Sequence, residues 1–165
     1  MGAVMKVFIK AILLMIITFS FAYSQIAPNF LLKDRNNSSI RLSDFKNKVL
    51  ILIFTNTKDK ITVVKAKELR NIFDKKKVGI IIITTDKDLS SIEFNRFVVK
   101  NDIEKFGIYT LKGDRWVLKA YSATPDKVKI LILRKRGNKF FILKEFNSFD
   151  KFNEIRLSVE TVLDR

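Results

Sequence analysis

The sequence predicts an α/β sandwich: a mixed central β-sheet flanked by helices, with a β-hairpin at its N-terminal end. Two continuous apolar runs, "VLILIF" (Val49 to Phe54) and "VGIIIIT" (Val78 to Thr84), have the β-branched and leucine content of strands buried on both faces. Each is followed by a segment of helical periodicity, the alternation that yields a sheet covered by helices. Two further apolar runs then meet at a glycine, and an amphipathic segment closes the chain. The 165 residues are enough for one domain with a real core and no covalent staples.

Taken in order, Phe30 to Leu32 and Ile40 to Leu42 are short extended pieces around the turn-forming cluster "DRNNSS" (Asp34 to Ser39), the pattern of a hairpin. The Val49 to Phe54 strand ends at the polar turn "FTNTKDKIT", after which Asp59 to about Asp74 reads as a helix. Its expected buried face carries Ile61, Val64, Leu69, Ile72 and Phe73. After the Val78 to Thr84 strand, Ser90 and Glu93 fit a capping box for a helix running to about Lys100. The segment "FGIYTLKGDRWVLKAYSAT" has no regular period. Val128 to Leu143 reads as two strands joined at "RKRGN", with Gly137 free to take a positive φ and the basic stretch Arg134 to Lys139 at an exposed hairpin tip. From Phe149 to Leu163, a stripe of Phe149, Phe152, Ile155, Val159, Val162 and Leu163 marks the last helix.

Composition excludes whole classes of chemistry. Cysteine and histidine are both absent, so there is no disulfide, thiol nucleophile, imidazole base or thiolate or imidazole metal site. Residues 1–24 have the pattern of a signal peptide: Lys6 and Lys10 form a basic region, Ala11 to Ala22 an apolar run, and Ala22-Tyr23-Ser24 a small-residue cleavage site. The mature domain is then 25–165, in the periplasm or secreted, with a start at Met5 or an uncleaved N-terminal membrane anchor as alternatives. Removing Lys6 and Lys10 from the 32 Lys+Arg leaves 30 against 17 Asp+Glu, a net charge of +13. The lysines are scattered through every segment, the mark of a compositional bias toward Lys, Ile, Asn and Phe, and export argues against nucleic acid. Weak contact with an anionic membrane surface is a secondary expectation.

"APNFLLKD" and "IRLSDFKNKVLILIF", between Ala27 and Phe54, closely resemble the opening of the redoxin family, which includes peroxiredoxin-like (AhpC/TSA) and TlpA/ResA-like thiol-disulfide proteins of thioredoxin fold. Ala27, Pro28, Phe30, Leu32, Asp34, Leu42, Ser43, Asp44, Phe45, Lys46 and Lys48 fit that opening, and Asn47 replaces its glycine. "IIITTDKD" (Ile81 to Asp88) resembles the family's second central strand and acidic turn, and "AYSATPDKVKILIL" (Ala120 to Leu133) its proline-containing segment. The resemblance implies a thioredoxin-like sandwich over residues 26–165. It also places Asp59 and Thr62 where the two cysteines of Cys-x-x-Cys stand in TlpA/ResA-like members, and Pro125 in the cis-proline loop that faces the site.

The vestigial site positions are therefore Asp59, Thr62 and Pro125, with Lys58, Lys60 and Thr124 as candidate binding residues and no catalytic residue, metal or cofactor. Asp59 is read first as a helix N-cap and second as a carboxylate for a cationic partner. Asp86 and Asp88 lack the further oxygens of a hard-cation site and read as helix-capping residues. Trp116 and Tyr121 read as packing residues. The function expected is a non-catalytic exported module that binds a protein or peptide through the vestigial active-site face. The alternatives are a thiol-disulfide or peroxide oxidoreductase by homology, lacking its own cysteines, and a basic membrane-surface binder.

Overall fold

The computed structural model describes residues 24–165, so the predicted signal peptide lies outside the described residues apart from Ser24. Eight strands form one sheet: β1 (Gln25–Ile26), β2 (Leu31–Lys33), β3 (Ser39–Arg41), β4 (Val49–Thr55), β5 (Val78–Thr84), β6 (Tyr109–Lys112), β7 (Lys129–Arg136) and β8 (Lys139–Phe146), in the order β1-β8-β7-β4-β5-β6-β2-β3. The sheet is mixed. β4, β5 and β6 run parallel, and β7 joins β4 antiparallel with Ile51 opposite Ile132. The helices are α1 (Lys60–Ile72), α2 (Ser91–Lys100), α3 (Arg115–Ala120) and α4 (Phe152–Leu163).

Alternation along the central strands divides the core into two layers. Val49, Ile51 and Ile53 of β4 pack with Val63 and Leu69 of α1, Phe94 and Phe97 of α2, and Ile155 and Val159 of α4. Leu50, Leu52 and Phe54 face the other way, against Phe30, Leu32, Leu42 and Phe45 of the N-terminal hairpin region and Val117 and Tyr121 at α3. The buried Tyr121 hydroxyl donates to the Pro28 carbonyl at 2.6 Å, tying the two ends of this layer together. The predicted hairpin, both central strands and the Ser90–Glu93 capping box are present. Gly137 takes φ +60° at the first position of the β7–β8 turn, as a tight hairpin requires. Arg134 and Lys135, expected in the tip, belong to β7 and are half-buried.

Three expectations are corrected. The buried face of α1 is shifted from the expected one: Leu69 and Phe73 are buried as expected, but Ile61, Val64 and Ile72 face solvent, and Thr62, Val63, Ala66 and Arg70 join Leu69 against the sheet. Small Thr62 and Ala66 let the helix lie close to the strands, and Arg70 is accepted there because it donates to the carbonyls of Phe73 and Val78. The segment without a period forms β6 and α3, the latter capped by Asp114, which accepts from Val117 N at 2.8 Å. Trp116 is not a packing residue but 59% exposed on α3.

Candidate functional site

The site lies where the parallel strands end. β4 stops at Thr55, the turn Asn56 to Asp59 follows, and α1 starts at Lys60. Asp59 is the N-cap: one carboxylate oxygen accepts from Thr62 N at 3.1 Å, satisfying a helix-end donor that has no partner within the helix. The other oxygen accepts from the Thr62 hydroxyl at 2.6 Å and from the Thr55 hydroxyl at 3.3 Å. The two positions predicted to replace the cysteine pair are thus bonded directly to each other. Thr62 is 2% exposed, so its end of this bond is buried, while Asp59 is half-buried. The Thr62 hydroxyl donates this hydrogen bond to the capping carboxylate and keeps its proton.

The turn is laced to both neighbouring loops. Asn56 accepts from Lys58 N at 2.9 Å and donates from its amide nitrogen to the Pro125 carbonyl at 2.9 Å. Thr57 donates through its backbone N–H and hydroxyl to the two oxygens of Asp86, at 2.9 and 2.8 Å. Beyond β6, Gly113 N donates to the Thr84 hydroxyl, and a Cβ at Gly113 would run into the Thr84 carbonyl oxygen. Asp86 therefore braces the turn, and the predicted capping role belongs to Ser90 alone. Asp88 stands in the left-handed region at φ +55°. Among the described residues, no three carboxylates gather into a metal-binding cluster.

Pro125 lies beside the turn as predicted, but the Thr124–Pro125 bond is trans. The Lys127 N–H approaches the Thr124 carbonyl at 3.5 Å, which puts Pro125 second in a four-residue turn. A trans proline with its fixed φ suits that position, whereas a cis proline occupies the third. Thr124 is exposed. Its hydroxyl, ahead of the Asp126 backbone N–H, holds the Asp126 carboxyl below its ordinary range.

Lys58 and Lys60 are exposed on the rim of a cleft of about 400 Å³ that also takes in Lys87, Arg96 and Lys100. A second groove of about 600 Å³ runs from Asp86 past Arg115 and Lys119 to Pro125. Ile61, between the two bonded positions, is 72% exposed. Sequence reasoning missed Asn56 and Thr57. Each lies in a polar turn, but their partners are 69 and 29 residues away and no local pattern indicates them.

This sheet order, with helices on both faces and a strand-to-helix turn facing a proline loop, is a thioredoxin-like α/β fold. No family model matches the chain. The thiol-disulfide oxidoreductase ResA of Bacillus thuringiensis is 33% identical over 107 residues, covering 64% of this chain and 61% of the relative, and ResA of Bacillus cereus gives the same figures. The thioredoxin domain of a thiol-disulfide oxidoreductase from Bacteroides vulgatus superposes with a TM-score of 0.63 at 19% identity, over 85% of this chain and 99% of that one. An exposed lipoprotein thioredoxin from Streptococcus pneumoniae gives 0.64 at 16% identity, over 81% and 99%. The chain thus has the thioredoxin-like fold of these structures, spans about 61% of the length of the ResA relatives it matches, and contains no cysteine.

Proposed function

We propose that this protein is a non-catalytic, exported thioredoxin-fold module that binds a protein or peptide across the face formed by the Asn56 to Thr62 turn and the Pro125 loop. The observation that carries this reading is the Asp59–Thr62 bond. It joins the two positions that the family resemblance aligns with the redox pair, while Ile61, Lys58, Lys60 and Thr124 stay exposed around it. The thiol chemistry named for the ResA relatives has no counterpart in this chain, because a mixed disulfide requires a sulfur nucleophile. An exposed Ile61 preceded by Lys58 and Lys60, with a groove alongside, suits an extended segment with apolar and acidic side chains. Contact with anionic lipid is secondary on this reading, and nucleic acid is not a partner.

The test is capture from an extract of exported proteins, with Ile61→Asp/Lys58→Glu as the control. A partner retained by the wild type and lost from the folded variant supports the reading. Equal retention by both, or retention of nothing, counts against it.

A further inference from the structure

The turn between β2 and β3 carries the only two asparagines of the chain that are followed, two positions on, by a hydroxyl residue. The two sequences overlap, as Asn36-Asn37-Ser38 and Asn37-Ser38-Ser39. Asn-x-Ser without an intervening proline is the acceptor sequence of N-linked glycosylation, which belongs to surface loops of exported chains. Asp34 stands two positions before Asn36 and completes Asp-x-Asn-x-Ser, the longer acceptor sequence of bacterial transfer. Residues Asn36, Asn37, Ser38 and Ser39 are all exposed.

Turn geometry separates the two overlapping sequences. One Asp34 carboxylate oxygen accepts from the backbone N–H groups of Asn36 and Ser38, at 2.9 and 2.8 Å, and Arg35 is paired with Glu104 at 3.0 Å. The backbone is therefore held, while among the described residues no hydrogen bond engages the side chain of Asn36 or Ser38. In the second sequence the Ser39 hydroxyl accepts from Lys33 Nζ at 2.6 Å, and Asn37 stands in the left-handed region at φ +63°. The free pair is Asn36 with Ser38. β2 runs antiparallel to β6, with Lys33 opposite Lys112, so this turn lies at the other end of the sheet from the Asn56 to Thr62 turn. A bulky group here leaves the proposed binding face open.

We infer that Asn36 is the acceptor of an N-linked glycan, attached as the chain is exported; this rests on the export reading above. In the transfer, the Asn36 side-chain nitrogen bonds to the anomeric carbon of an oligosaccharide carried on a lipid pyrophosphate. The bond from that carbon to the pyrophosphate oxygen breaks, the lipid pyrophosphate leaves with the electron pair, and the amide nitrogen gives up one proton. An oligosaccharyltransferase catalyses the step and reads the Ser38 hydroxyl. The Asp34 bonds close Asn36 to Ser38 into a tight turn, so the transfer belongs to the chain before it folds.

The experiment isolates the full-length gene product from the cells that encode it and maps the exported fraction by peptide mass spectrometry with electron-transfer fragmentation. The tryptic peptide ending at Arg41 contains both asparagines. It should carry a glycan mass on Asn36 in most exported chains. Asn36→Gln and Ser38→Ala should each remove that mass, whereas Asn37→Gln, which keeps Asn-x-Ser, should retain it. An exported chain with a processed N-terminus and a bare Asn36 overturns the inference and leaves the export reading standing, and so does a glycan on Asn37 alone. A chain kept in the cytosol with its N-terminus intact overturns both.

Discussion

Asp59 at the start of α1 occupies the position where a helix N-terminus favours negative charge, and the family resemblance aligns it with a cysteine. Here a carboxylate uses the same field to cap the helix and to hold Thr62. Asp59→Ala should lower stability by roughly 0.5–2 kcal/mol, the usual effect of losing an N-cap. Asp59→Asn should cost less, because the amide oxygen still accepts from Thr62 N, although the charge–dipole contribution of about 0.3–1 kcal/mol and the acceptor for the Thr62 and Thr55 hydroxyls are lost. Chemical denaturation of both variants measures the difference, and an equal loss for the two would show that capping is not what Asp59 contributes. Gly113 makes a sharper case. Its missing Cβ leaves room for the Thr84 carbonyl, so Gly113→Ala should destabilise by about 1–3 kcal/mol through forced displacement of β5 against β6. The sequence shows the cap, because a polar residue precedes a helical period. It does not show the Thr62 hydroxyl turned back onto it, or the reach of Asn56 to Pro125, because those depend on rotamer and on a loop far along the chain.

Among the elements, α1 departs most from its sequence pattern. The apolar residues Ile61, Val64 and Ile72 invite a buried face, yet the helix is turned so that Thr62, Ala66 and Arg70 meet the sheet. The cap fixes that rotation, since Asp59 bonds both the backbone and the hydroxyl of Thr62 and so points residue 62 inward. Periodicity alone cannot distinguish an apolar stripe that packs from one left for a partner. In contrast, α2 follows its pattern closely. The Ser90 hydroxyl donates to Glu93 at 2.6 Å, and this bond, ahead of the one from Ser90 N, holds the Glu93 carboxyl below its ordinary value of 4.5. With the folded value depressed, the capping contribution is complete above the ordinary glutamate range and is lost as pH falls through the depressed value. Carboxyl NMR should therefore show Glu93 titrating below 4.5 in the wild type and moving back up toward it in Ser90→Ala. An unchanged midpoint in the variant would assign the shift to another group.

For the molecule as a whole, the fold was legible because its strongest signals are long and mutually consistent: two seven-residue buried strands, a capping box, a glycine hairpin and a closing amphipathic helix. The irregular middle was not legible, since a four-residue β6 and a six-residue α3 are too short to show a period. The bonding of the candidate site was not legible, since Asn56 and Thr57 find their partners 69 and 29 residues away. Insulin-reduction and peroxide-consumption assays on the purified protein should stay at background, because no residue forms the mixed disulfide or sulfenic acid those reactions need. The central claim is that the Asn56 to Thr62 turn is a thioredoxin-type redox turn with its sulfur replaced by an Asp59–Thr62 bond. The most direct test is to place cysteine at both positions, as Asp59→Cys/Thr62→Cys, and to measure disulfide formation by thiol titration and mass spectrometry under a defined redox buffer. The account predicts that the folded double variant forms an intramolecular disulfide and gains measurable reductase activity, with the first thiol titrating below an ordinary cysteine in the field of the helix N-terminus. A variant that keeps the wild-type fold yet leaves both thiols free and inactive would contradict it.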